Sequence, residues 1–218
     1  MIELIRKISS QSEIIILFKK IFSKNKTEDI SKEYNESYYD YLISAELESS
    51  LDFGKILIKH FNPSSVIDIG CGCGIYLKAF NDLGVKDLIG YDGSECAIQK
   101  SLLPGKIKIH DLRKPLRLNS KYDLCICIEV AEHIENKYSK RLIKTLTNLS
   151  DIVFFTAAPP GQGGTGHINE RPYSFWINIF KKEEFNYIDS LTQEIREEMK
   201  AKNIISWVTK NMLIFKKI

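Results

Sequence analysis

The stretch Val66-Ile67-Asp68-Ile69-Gly70-Cys71-Gly72-Cys73-Gly74 decides the fold. A short β-branched run ends in a carboxylate, and three glycines then alternate with cysteines. Ile75-Tyr76-Leu77-Lys78-Ala79-Phe80 follows and reads as the opening of a helix. Strand, tight glycine turn and helix bring backbone N–H groups and a helix N-terminus up against a nucleotide-like ligand. The spacing separates the candidate ligands. A dinucleotide fingerprint, G-x-G-x-x-G, requires glycine at position 75, and Ile75 stands there instead.

Outward from this turn, apolar runs alternate with helical stretches. Strands are expected at 65–69, 88–91, 106–109, 124–128 and 152–156, with helices at 75–83, from about Ser94 to before Pro104, and at 134–149. This alternation predicts an α/β fold with a doubly wound parallel sheet. The run from Pro159 to Gly166 is too rich in glycine and proline for regular structure. Beyond it, a helix from Tyr173 to about Glu184 precedes strands at 185–188 and 212–215, which are separated by a charged helix containing Glu194 to Lys200. Upstream, residues 1–23 space their apolar side chains helically, 24–37 read as a polar loop, and Tyr38 to Phe61 forms a helix ended by Asn62-Pro63. The chain therefore divides into an N-terminal helix and loop at 1–37 and one domain at 38–218.

The bulk composition is that of an ordinary globular protein: 218 residues, 44% hydrophobic and 27% charged. A formal charge of +3 gives little general attraction for nucleic acid. No apolar run approaches the ~18 residues of a membrane span, and the N-terminus lacks a signal-peptide layout. The five cysteines, Cys71, Cys73, Cys96, Cys125 and Cys127, are odd in number, and most sit in or beside strands. They read as reduced core thiols of a cytoplasmic protein rather than a disulfide framework.

Two more acids follow at strand ends. Asp92, in Ile89-Gly90-Tyr91-Asp92-Gly93, lies where a carboxylate accepts hydrogen bonds from both ribose hydroxyls of an adenosine ligand. Asp111, in Ile109-His110-Asp111-Leu112, is placed to accept from an adenine amino group while Leu112 packs on the ring. Asp68 to Gly74, Gly90-Tyr91-Asp92, His110-Asp111-Leu112, and Tyr122-Asp123-Leu124 with Glu129-Val130-Ala131-Glu132-His133 together resemble, in order, the motifs of class I S-adenosylmethionine-dependent methyltransferases. The segment Pro160 to Glu170 and the ending Trp207 to Phe215 also resemble a subgroup associated with glycan or natural-product pathways.

The resemblance implies a Rossmann-like seven-stranded sheet, mostly parallel, whose last strand is antiparallel. It implies that Asp68, Gly70, Cys71, Gly72 and Gly74 hold the methionine part of S-adenosyl-L-methionine. Asp92 and Gly93 would take the ribose, Asp111 and Leu112 the adenine, and Glu129 would complete the cofactor set. Aromatic rings among Tyr34, Tyr38, Tyr39 and Tyr41 are candidates to close over the sulfonium.

Ligands of open α/β sheets bind at the carboxyl ends of the strands. His133, after strand four, and His167, after strand five, are therefore the candidate general bases, and Gln162, Asn169, Tyr173 and Trp176 flank His167 as candidate acceptor contacts. Glu129, Glu132, His133 and His167 also resemble the magnesium-binding set of small-RNA 2′-O-methyltransferases. Arg and Lys are not concentrated around that set, so we assign no metal ligand. The expected activity is methylation, at oxygen, of a small molecule or glycan intermediate. The alternatives are a metal-assisted RNA methyltransferase and a non-catalytic cofactor-binding protein.

Overall fold

A computed structural model describes residues 34–218. The helix expected at 1–23 and most of the loop at 24–37 lie outside the described residues. The first described helix, α1 (Glu36–Phe61), is capped by Asn35, whose side chain accepts from the Tyr38 N–H at 3.2 Å. It stops at Asn62, which adopts a left-handed conformation (φ 43°) before Pro63.

The sheet follows in the order the apolar runs predict. β1 (Ser65–Ile69), α2 (Ile75–Asp82), β2 (Asp87–Asp92), α3 (Glu95–Gln99), β3 (Ile107–Ile109) and β4 (Leu124–Cys127) come first. Then come α4 (Ser139–Leu149), β5 (Ile152–Phe155), α5 (Tyr173–Lys182), β6 (Phe185–Tyr187), α6 (Asp189–Ala201), α7 (Ser206–Asn211) and β7 (Leu213–Lys217). The strands are ordered β3-β2-β1-β4-β5-β7-β6. β7 is antiparallel to both neighbours, with Phe154 opposite Ile214 and Asn186 opposite Lys216, and the β1–β5 pairings are all parallel. This is the expected seven-stranded architecture with its antiparallel last strand.

Both faces are covered, so the central strands are apolar on both sides. Leu124 and Ile126 point into one core with Phe53, Leu57, Phe80, Ile195 and Met199. Their neighbours Cys125 and Cys127 point into the other, with Leu146, Phe155, Trp176, Phe180 and Phe215. The rings of Phe180 and Phe215 stack there at 3.7 Å. All five cysteines are free, and burial pushes the thiols of Cys71, Cys125 and Cys127 well up, which keeps them protonated.

Two elements depart from the sequence reading. The helix expected from Ile134 begins at Ser139, because two short 3₁₀ turns (Ala131–His133 and Asn136–Tyr138) with an extended Glu135 between them intervene. The segment before β7 contains the additional short helix α7. Among the described residues no helix is long and apolar enough to cross a membrane.

Candidate active site

The carboxyl ends of β1, β2 and β4 open onto a cavity of about 1520 Å³. The glycine turn forms its floor. Gly70 and Cys71 both donate backbone N–H groups to the Tyr91 carbonyl, at 2.7 and 3.2 Å, which ties the turn to the end of β2. Gly70, Gly72 and Gly74 have φ of 82°, 52° and 86°, the left-handed region that glycine enters without strain. At Gly70 a Cβ atom would fall 2.3 Å from Val130 Cγ2, in the loop after β4. Gly74 is the exception among the expected ligand-binding glycines. It begins α2 but does not line the cavity, and the space a Cβ would take is filled by Ile107 Cδ1 on β3 at 2.6 Å. Its role is packing of the turn on the sheet.

The strand-end acids line the cavity. Asp68 is 2% exposed; burial, with the Asp92 charge adding to it, pushes its carboxyl well up, and its Oδ2 has no hydrogen-bond partner among the described residues. Asp92 accepts from the Gly72 N–H through Oδ2 and from the Ser94 N–H through Oδ1, both at 2.8 Å, which fixes the carboxylate beside the turn. Gly93 lies next to it at the wall. Asp111 and Leu112 line the outer end, where Asp111 is gripped by Arg113 at 2.8 and 3.1 Å.

Tyr34, Tyr38, Tyr39 and Tyr41 all line the cavity, with edge-on contacts between Tyr34 and Tyr38 and between Tyr38 and Tyr39. Tyr39 lies over Gly72.

At the far end, Glu129 holds φ of 52°, an unusual conformation for a residue with a side chain. Its N–H donates to Thr156 Oγ1 at 2.8 Å. Its carboxylate accepts from Asn211 Nδ2 at 3.0 and 3.2 Å and from Gln162 Nε2 at 3.2 Å. This network ties the end of β4 to the glycine-rich loop and to the end of α7. Two carboxyls lie close here: burial, then the charge of Glu129, pushes Glu132 well up.

The structure brings His133 and His167 together, with ring centroids 4.9 Å apart. His133 Nδ1 and the Tyr34 hydroxyl are hydrogen-bonded at 3.0 Å. Burial, reinforced by His167, lowers the His133 imidazole to about 4, so it is neutral near pH 7. His167 Nδ1 pairs with Glu170 Oε1 at 2.9 Å, and Glu170 also accepts from the N–H groups of Gly161 and Gly163 at 2.7 and 2.6 Å. Gly164 packs closely on the ring, since a Cβ there would sit 2.5 Å from His167 Nε2. Glu132, His133 and His167 each offer a ligand atom within 4.8 Å of the other two.

Of the four expected acceptor contacts, Gln162, Asn169, Tyr173 and Trp176, only Gln162 lines the cavity. Asn169 is buried and pins the first 3₁₀ turn to α4 through the Ala131 carbonyl and Ser139 Oγ, at 3.2 and 3.0 Å. Tyr173 bonds Asn211 at 3.1 Å, and Trp176 is core. Two residues, Glu170 in the glycine-rich loop and Glu46 on the cavity wall, escape the sequence reading. The i,i+3 spacing of His167 and Glu170 was a signal for the first. Glu46 sits in α1, outside any motif.

Residues 28–158 match the family model described as a methyltransferase domain. The chain belongs to this family, and its fold is that of the class I S-adenosylmethionine-dependent methyltransferases. No curated protein matches the chain. Among solved structures, it resembles the plantazolicin methyltransferase BpumL in complex with a monoazolic desmethylPZN analog and SAH, at 18% identity and TM-score 0.57, over 93% of this chain and 94% of that one. It also resembles the sugar N-methyltransferase KedS8 from Streptoalloteichus sp. (9% identity, TM-score 0.63, 83% and 92% covered). Magnesium protoporphyrin IX methyltransferase from Synechocystis with bound SAH is similar too, at 16% identity and TM-score 0.56, with 91% and 92% covered.

Proposed function

We propose that the chain transfers a methyl group from S-adenosylmethionine to an oxygen or nitrogen of a polar small molecule or glycan intermediate. The carrying observation is a single cavity with the glycine turn and its acids at one end and a histidine-bearing loop at the other. Its volume of about 1520 Å³ exceeds what one small ligand fills, which is ~300–1,000 Å³. Cofactor and acceptor fit side by side. The acceptors named for the structural neighbours, an azole peptide, a sugar and a porphyrin, support a small molecule.

The residues suit the cofactor. Asp92 is held by two backbone N–H groups with acceptor capacity left for the ribose hydroxyls. The unpartnered Asp68 Oδ2 awaits a donor at the methionine end. Asp111 and Leu112 stand where the adenine would lie. Bound S-adenosylmethionine supplies a methyl carbon on a sulfonium, open to direct displacement. The chain must align the acceptor in line with it and exclude water, and much of the rate comes from that positioning. For a hydroxyl acceptor, we assign the base role to His167. Glu170 at Nδ1 leaves Nε2 to accept a proton, a contribution typically of ~10²–10⁴-fold. His133, whose Nδ1 is engaged by Tyr34, supports the ring of His167.

Isothermal titration with S-adenosylhomocysteine tests the reading. The protein should bind it and not NAD, and Asp92→Ala should weaken binding about tenfold or more through the loss of charge-assisted hydrogen bonds. Binding of NAD alone would reject the assignment.

The cluster of Glu132, His133 and His167 favours a second reading, in which a metal orients the acceptor. The buried Glu132 Oε2, with no hydrogen-bond partner among the described residues, fits a cation. Glu129, the fourth residue of the RNA-type set, is turned instead to Asn211 and Gln162. Two imidazoles and one carboxylate suit a transition metal better than magnesium. Activity that survives thorough chelation eliminates this reading.

A further inference from the structure

The cavity wall carries a carboxylate that none of these roles uses. Glu46, on α1, is only 6% exposed, yet it lines the cavity. Its Oε2 accepts from the Tyr76 hydroxyl at 2.7 Å, and Oε1 has no hydrogen bond among the described residues. The ionisable groups around it are Tyr38 and Tyr41 on α1, Cys73 in the glycine turn, Tyr76 on α2 and Glu129 beyond β4. None of them is a cation. The same chamber is lined by the aromatic side chains of Tyr41 and Trp207, with Lys210 exposed beside Trp207.

A buried carboxylate is costly unless a positive partner or hydrogen-bond donors complete it. Aromatic walls attract cations. Among the described residues no cation completes Glu46, so the group this carboxylate lacks is a positively charged donor. We propose that the acceptor is an amine and that Glu46 is the group that takes its proton. This rests on the methyl-transfer reading and narrows its acceptor to nitrogen.

The acceptor enters as R–NH₃⁺ opposite the ionised Glu46. One proton passes to the carboxylate, leaving R–NH₂ and a neutral carboxyl. The nitrogen lone pair forms the N–CH₃ bond as the S–CH₃ bond breaks, and that bond's electron pair goes to sulfur. The products are R–NH₂–CH₃⁺ and S-adenosylhomocysteine, and Glu46 then returns its proton to water. Burial, only partly offset by the Tyr76 hydrogen bond and assisted by Glu129, raises the Glu46 carboxyl to about 7. That brings its basicity nearer to an amine's than an ordinary carboxylate's, as proton transfer requires.

The probe is sinefungin, a cofactor analogue with an amine-bearing carbon in place of the methyl-bearing sulfonium. It places an ammonium where the transferred methyl would lie. Its affinity is compared with that of S-adenosylhomocysteine by calorimetry for the wild-type chain and Glu46→Gln. The wild-type chain should prefer sinefungin. Glu46→Gln should lose about tenfold in sinefungin affinity and hold S-adenosylhomocysteine within about twofold. Equal losses for both ligands would place Glu46 at the methionine end and overturn the proposal, as would no change in either. Should Glu46→Gln fail to fold, the wild-type preference decides, since a chain that favours S-adenosylhomocysteine refutes it. A wild-type chain that binds neither ligand refutes the methyl-transfer reading itself.

Discussion

At Gly70 an added methyl group has nowhere to go. The left-handed φ of 82° strains any side chain, and Val130 occupies the space at 2.3 Å. Gly70→Ala should cost about 2–4 kcal/mol, the sum of backbone strain and overpacking, read by urea denaturation. His133 makes a prediction of a different kind. Its imidazole titrates at about 4 in the folded chain but near ~6.5 when unfolded. Between those values the unfolded chain binds a proton that the folded one refuses, so this residue makes stability fall as pH drops from about 6.5 to 4. His133→Asn should flatten that limb, and an unchanged slope between pH 7 and 5 would contradict the burial of the ring. The acids at strand ends are legible in the sequence because their position relative to a strand and a glycine turn is itself the signal. Glu46 is not, since a carboxylate on an amphipathic helix looks the same whether it faces water or a cavity.

At the scale of elements, one carboxylate organises the glycine-rich loop after β5. Glu170 accepts from Gly161, Gly163 and His167. Burial pushes its carboxyl up, but these hydrogen bonds outweigh burial and hold it below the ordinary range. Glu170→Ala should release the loop, giving faster proteolytic cleavage within 160–168 and a large loss of turnover. The melting temperature should change little, because the loop contributes few groups to either core. The strands were readable because their apolar runs are bounded by turns and covered on both faces. The start of α4 was not, because the apolar spacing continues through Ile134 while Asn169 and Tyr34 hold the preceding residues in a different conformation. Such long-range partners leave no local trace. α7 is likewise too short to show a period.

Across the whole molecule, elements remote in sequence come together: α1, the glycine turn, the loop after β5 and α7 all meet at one cavity. A ligand bound there favours the folded state by mass action. S-adenosylhomocysteine at 100 times its dissociation constant should add about 2.7 kcal/mol, a rise of roughly 5–10 °C in melting temperature for a chain of this size. Differential scanning calorimetry reads this directly, and no shift at saturation would place the ligand elsewhere. The class of fold, and the glycine turn and strand-end acids that line one side of the cavity, were legible from order and spacing along the chain. The histidine-bearing side was not, because it is assembled from side chains that only the tertiary structure brings together.

The contact between Gly70 and Val130 has a consequence for how such sequences change over generations. The glycine is demanded by a neighbouring valine, whether or not a nucleoside ever reaches the turn. A descendant that abandoned catalysis would still be penalised for losing Gly70, and would keep its ancestral signature as a fossil of packing. The buried carboxyls of Asp68 and Glu46, each with an oxygen that finds no donor among the described residues, cost the fold, and such a descendant would shed them first.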